Sequence, residues 1–183
     1  SASLVGSEMC IRDRIEEDEN GEEHRYLMWG NTYNYICELN EDMISVKDLN
    51  GDGEITFGDD GDVKSNKFSY RKEGTKDDPM YPLESLTNLV YTEAPWLYRR
   101  QDENGKYTGK YYLFGAWGWH EAMAYATADN IWGPWTFGKV IMNPTATSNT
   151  NHPSVIDFKG KTYFIYHNGM LQWGDGGKRC ICA

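Results

Sequence analysis

The feature that most constrains this chain is a repeat. An X-Pro step, an apolar strand, a Gly-Lys turn and a Tyr-rich strand run from Ala94 to Ala116 and again from His152 to Asn168. Gly109 and Gly160 hold the same turn position in the two copies, about fifty residues apart, and Gly21 to Gly30 reads as a degraded earlier copy. Short antiparallel strands repeated at that interval mark a β-propeller, each repeat being one blade. Helical periodicity is nearly absent, so the chain is expected to be all-β, with an open sandwich as the architectural alternative.

The best-defined unit is the hairpin from Tyr91 to Trp119, two aromatic-rich runs around an Asp-, Asn- and Gly-rich turn. Pro95 cannot donate to a sheet ladder and is expected at the start or edge of its strand, where it pushes Ala94 towards an extended conformation. Glu93 then sits at a strand mouth beside aromatic residues. Desolvation there would raise its pKa, the condition a general acid needs. The competing reading is an exposed, merely solvated Glu.

Further strands are expected at Arg25 to Gly30, Asn31 to Leu39, Met43 to Val46, Glu121 to Ala128, Ile131 to Phe137, Lys139 to Met142, Asn151 to Phe158, Lys161 to Asn168 and Arg179 to Ala183. Between them, Asp60 to Pro82 reads as a polar, extended excursion outside the core.

Asp48 to Asp59 has the pattern of a calcium loop. Oxygen side chains stand at the first, third and fifth positions, Gly53 makes the sharp turn, Ile55 is apolar and a carboxylate closes the run. The candidate ligands are Asp48, Asn50, Asp52, Glu54 and Asp59. The terminal Asp is shorter than the usual Glu and resembles dockerin-type loops. An acidic hairpin tip is the alternative.

A net charge of -10 argues against nucleic-acid binding, which needs a basic face. Without a run of about 18 apolar residues, no membrane-spanning helix is expected. The four cysteines, Cys10, Cys37, Cys180 and Cys182, include no Cys-x-x-Cys pair, and Cys180 and Cys182, alternating as in a buried strand, read as two structural thiols. The aromatic content, 14%, suits packing between sheets and stacking on sugar rings. Residues 1–14 lack a cleavable signal pattern and resemble translated sequencing adapter, so they are set apart from a domain at 15–183, with 48–82 as an acidic insertion. The last residues read as a strand in progress, and a fragment is expected.

The ordered set Thr92-Glu93-Ala94-Pro95-Trp96, Gly109 to Phe114, Gly133-Pro134-Trp135-Thr136, Asn151 to Asp157 and Tyr163 to Gly169 resembles glycoside hydrolase family 43. These are five-bladed propeller enzymes that trim xylan, arabinoxylan and arabinan. The likeness covers roughly residues 16–47 and 86–183 and implies a partial propeller of about three blades. It implies Glu93 as the general acid of an inverting hydrolysis, and an oligo- or polysaccharide partner without organic cofactor. By the same resemblance His152 lies near the propeller axis, contacting sugar or a central ion or water, and Arg179 reaches the sugar. Trp117, Trp119 and His120 build either a sugar platform or blade packing. Asn151 and Asn168 are further candidates for substrate contact.

The family's base and tuning Asp residues have no match here, so this piece alone is expected to be inactive. Its substrates imply export, with an extracellular or periplasmic intact protein. The alternative function is a non-catalytic carbohydrate-binding propeller.

Overall fold

The computed structural model describes residues 11–69, 90–118, 121–144, 150–168 and 180–182. Among them every regular element is a strand. The first sheet is an antiparallel meander of β1 (Ile11–Glu17), β2 (Glu23–Trp29), β3 (Asn34–Leu39) and β4 (Val63–Asn66). The second comprises β5 (Phe68–Ser69), β6 (Tyr91–Gln101), β7 (Tyr107–Trp117), β8 (Ala122–Ala128) and β9 (Trp135–Met142), in the order β5-β9-β8-β7-β6. The third is β10 (Ser154–Phe158), β11 (Lys161–Asn168) and β12 (Cys180–Cys182). The hairpins β6–β7 and β10–β11 are the two copies of the sequence repeat, and three mainly antiparallel sheets, with β5 alone pairing parallel on β9, make a partial propeller.

Sheets one and two pack face to face. Met28 and Ile36 from the first meet Tyr111, Leu113, Ala126, Ala128, Ile131 and Trp135 in one buried cluster. Alanines dominate the inward face of β8, leaving room for the opposing side chains. A polar knot seals the same boundary. Glu16 Oε2 accepts from Tyr111 Oη at 2.6 Å and from Arg99 NH1 at 3.0 Å, and Glu16 also pairs with Arg14. Burial, reinforced by that carboxylate, pushes the Tyr111 hydroxyl well above the ordinary phenol range.

Three expectations are corrected. Residues 11–14, set apart above, extend β1 and pair from Ile11↔Trp29 to Arg14↔Tyr26, and the Arg14 guanidinium lies 4.2 Å over the Tyr107 ring. Met43 to Val46 forms no strand beyond a single bridge, Leu39↔Val46, because Asp42 Oδ1 accepts the Ile44 and Ser45 amides and curls the chain into a turn. The polar excursion re-enters the fold at 63–69. β4 pairs with β3, burying Val63 and Asn66, and Asn66 Nδ2 donates to Asn34 Oδ1 at 2.6 Å. Phe68 then packs on Tyr91 and Trp117. Residues 70–82 lie outside the described residues.

The loop between β3 and β4 is closed by Asp62, which is 1% exposed. Its carboxylate accepts from the Thr56 amide at 2.9 Å, the Leu49 amide at 2.7 Å and the Thr56 hydroxyl at 3.0 Å. The Thr56 and Leu49 amides hold its pKa below the ordinary 3.8. A depressed folded-state pKa gives stability that is present above the ordinary value and is lost as pH falls through the lowered one. The gap in thermal midpoint between the parent and Asp62→Asn should therefore be widest near neutrality and shrink below about pH 4. A gap independent of pH would refute this account.

Candidate active site

Glu93 lies near the start of β6, the edge strand of the second sheet. The β6–β7 register pairs Glu93 with Ala116 and Trp96 with Phe114, so Ala94 and Pro95 together face Gly115 alone. This is a β-bulge on an edge strand, and both settings accept a proline. Ala94, expected to be extended, instead has φ 61° and is buried. The bulge overrides the pre-proline preference and turns the chain just after Glu93. Such left-handed backbone costs an L-residue about 1 kcal/mol or more and clusters at functional sites. Opposite it only glycine fits: a Cβ on Gly115 would stand 2.9 Å from the Trp117 ring, 3.1 Å from Tyr91 and 3.2 Å from the Glu93 carbonyl.

The first sheet reaches over this strand through its β2–β3 turn. Tyr91 Oη donates to the Gly30 carbonyl at 3.2 Å, and the Thr32 amide donates to the Thr92 carbonyl at 2.6 Å. The turn thereby delivers Asn31, whose Nδ2 donates to Glu93 Oε2 at 2.9 Å. From the other side His152, on the segment leading into β10, places Nε2 2.9 Å from Glu93 Oε1. The Glu93 side chain keeps 20% of its surface exposed and His152 keeps 35%. The carboxylate is thus fixed at both oxygens by polar partners, rather than by the aromatic wall the sequence suggests.

Behind His152 stands Glu121, 1% exposed, at the head of β8. Its Oε2 accepts the Asn151 amide at 2.7 Å and lies 4.0 Å from His152 Nε2. The His167 ring lies tilted against that of His152, 5.4 Å between centroids, and its Nε2 donates to the Thr150 carbonyl at 3.1 Å. A half-open carboxyl gripped by an amide and an imidazole, where three sheets meet, can hand a proton to a ligand at the open side.

Of the other residues singled out from sequence, Trp117 is corrected. It is fully buried against Tyr91, Phe68 and Phe137 and offers no face to a sugar. Asn151 is 1% exposed, and neither its Nδ2 nor its Oδ1 has a hydrogen-bond partner; its visible contribution is its backbone amide. Asn168 ends β11, paired with Cys180. Trp119, His120 and Arg179 lie outside the described residues. Cys37 is buried, and desolvation pushes its thiol up to about 12, which fits a structural thiol. Asn31 and Glu121 were not found from sequence. The signals were present but weak: a Gly-Asn step after Trp29 that reads as any turn, and one acid leading an otherwise apolar Ala-Met-Ala-Tyr run.

The donor set of the 48–59 loop is oxygen-rich, as calcium requires. Asp48, Asn50 and Asp52 share one tight turn. Asp48 accepts the Gly51 and Gly53 amides at 2.6 and 2.7 Å, and Asn50 Oδ1 accepts the Asp52 amide at 2.9 Å. Asp59 is drawn away to Lys67 Nζ at 2.5 Å. Two other groups bring their ligand atoms within 4.8 Å of one another: Asp18, Glu22 and His24, and Glu93, Glu121 and His152.

No protein-family model matches the chain. Over 108 residues it is 33% identical to a β-xylosidase of Xylanibacter ruminicola, covering 59% of this chain and 31% of that protein. Over 82 residues it is 37% identical to a xylosidase/arabinosidase of Bacteroides ovatus, covering 45% of this chain and 23% of that protein. The chain thus spans less than a third of the curated relatives it matches. A GH43 β-xylosidase/α-arabinofuranosidase from a compost microbial metagenome, solved with xylotriose in a calcium-free form, shares the fold with a TM-score of 0.62 and 24% identity, over 92% of this chain and 52% of that one. A GH43 enzyme from Xanthomonas citri, complexed with xylotriose, matches with a TM-score of 0.62 and 20% identity, over 92% and 51%.

Proposed function

We propose that this chain carries part of a glycoside hydrolase family 43 β-propeller and supplies the general acid, Glu93, of a glycosidase acting on xylosyl or arabinofuranosyl linkages. The observation that carries this reading is the carboxyl of Glu93, held at both oxygens by Asn31 and His152 yet still partly open.

In the reaction Glu93 gives its proton to the glycosidic oxygen as the C–O bond breaks. Water attacks the anomeric carbon from the opposite face and loses a proton to a second carboxylate, so the configuration inverts. That base must stand about 6.5–9.5 Å from the acid to leave room for the water. Glu121 does not qualify: it is 1% exposed and shares a group whose ligand atoms lie within 4.8 Å. By the family resemblance, we place the base outside the described residues.

The names of the relatives support xylosyl or arabinosyl linkages; we take xylan, arabinoxylan or arabinan as the polymer that carries them, and with it a secreted or periplasmic enzyme. Proton NMR of the first-formed sugar tests the mechanism in the full-length protein. The expected product from an aryl β-xyloside is the α-anomer; β-xylose would exclude inversion.

For calcium, Asp48, Asn50 and Asp52 would hold the ion, which would supply a structural brace at the loop and no chemical step. Adding calcium to the chelated full-length protein should raise its thermal midpoint, and Asp48→Ala should abolish the rise. An unchanged midpoint in the parent would remove the ion from this reading.

A further inference from the structure

We infer that Glu121 is a positioning residue for the acid: it anchors the backbone at Asn151 and so holds the imidazole of His152 against Glu93. The inference rests on the reading of Glu93 as the proton donor.

His152 belongs to the segment that leads into the third sheet, whereas Glu93 lies in the second and Glu121 immediately precedes its strand β8. The contact that steers Glu93 therefore crosses a blade boundary. Among the described residues, ties that cross that boundary flank His152. Trp96 Nε1 donates to the Val155 carbonyl at 2.9 Å, three residues downstream. Glu121 Oε2 accepts the Asn151 amide at 2.7 Å, one residue upstream. With the chain pinned on either side of it, the imidazole has little freedom to leave Glu93.

A carboxylate is an expensive group to bury almost completely, and breaking its contacts leaves a backbone N–H without a partner. Among the described residues the Asn151 side-chain amide, 1% exposed, has no hydrogen-bond partner, so its main-chain anchor matters more. The same Oε2 stands 4.0 Å from His152 Nε2, too far for a hydrogen bond yet near enough to attract a donor on that nitrogen. Glu121 is closed off from solvent and acts through Asn151 and His152.

The test compares two xylosides in the full-length protein: xylobiose, whose leaving sugar needs a proton, and 2,4-dinitrophenyl β-xyloside, whose leaving phenolate does not. Glu121→Ala should lower kcat on xylobiose by about a hundredfold, the cost of roughly 1 Å of misplacement. It should change kcat on the dinitrophenyl substrate and KM on either less than about threefold. Glu121→Gln keeps an acceptor oxygen for the Asn151 amide and should restore most of the xylobiose rate. If Glu121→Ala does not fold, Glu121→Asp takes its place, with a loss of about tenfold confined to xylobiose.

Equal losses on the two substrates, no loss on either, or a Gln variant as poor as Ala would overturn the inference. Glu93→Gln run alongside separates the two claims. If it too lacks the leaving-group dependence, the assignment of Glu93 fails first. If it shows the dependence while Glu121→Ala does not, only the role of Glu121 fails.

Discussion

Glu93→Gln in the full-length protein is expected to lower kcat on xylo-oligosaccharides by about 10²–10⁴, the usual worth of a positioned general acid. Gln is close to isosteric. Its oxygen can accept from Asn31 Nδ2 as Glu93 Oε2 does, and its NH2 can face His152 Nε2 across the same 2.9 Å. The fold and the substrate pocket should therefore survive, with thermal midpoint and KM near those of the parent. What disappears is the transferable proton. Because that proton is used in the transition state and not in the ground state, kcat and kcat/KM should fall together. The limb of the pH–rate profile that reports the acid should vanish as well. Activity within tenfold of the parent would move the acid elsewhere.

The second large effect is structural. Trp117→Ala should destabilise the protein by about 3–5 kcal/mol, as expected for a large aromatic removed from a closed core. The ring is wholly buried, with Tyr91 at 5.2 Å, Phe68 at 5.4 Å and Phe137 at 5.8 Å between centroids. Its Nε1 has no hydrogen-bond partner, so the loss is one of packing alone. For a domain of this size that corresponds to a fall in thermal midpoint of more than about 6 °C. A platform tryptophan would behave in the opposite way, raising KM and leaving the midpoint in place. Scanning calorimetry beside saturation kinetics tells the two apart.

The contrast between Glu93 and Trp117 shows how far the sequence could be read. Strand content, the repeated hairpin and the edge position of Pro95 follow from period-two alternation and turn chemistry, both local properties. The conformation of Ala94 does not. Its proline neighbour argues for an extended chain, and only the mismatch of β6 against β7 forces φ to 61°. Val63-Lys64-Ser65-Asn66 looks polar as a string; its burial is visible only once β3 lies beside it and Asn34 meets Asn66. Asn31 and Glu121 were missed for the same reason. Each owes its role to a partner from another sheet, and a single sequence gives no sign of which blade will supply one. Trp117 was identified as important, but its part in the core depends on Phe68 arriving from β5, a strand of two residues.

That short strand has a consequence for cooperativity. One residue after leaving β4 in the first sheet, the chain pairs Phe68 with Trp135 and Ser69 with Thr136, parallel to β9 on the far edge of the second. A single stretch of backbone is therefore a member of two blades at once. If the first blade melts, it withdraws Phe68 from Tyr91 and Trp117, and Tyr91 stands two residues before Glu93. The two blades should behave as one foldon in native-state hydrogen exchange. Glu93 is then ordered only while both blades are, so loss of the site around it and loss of the fold become one event.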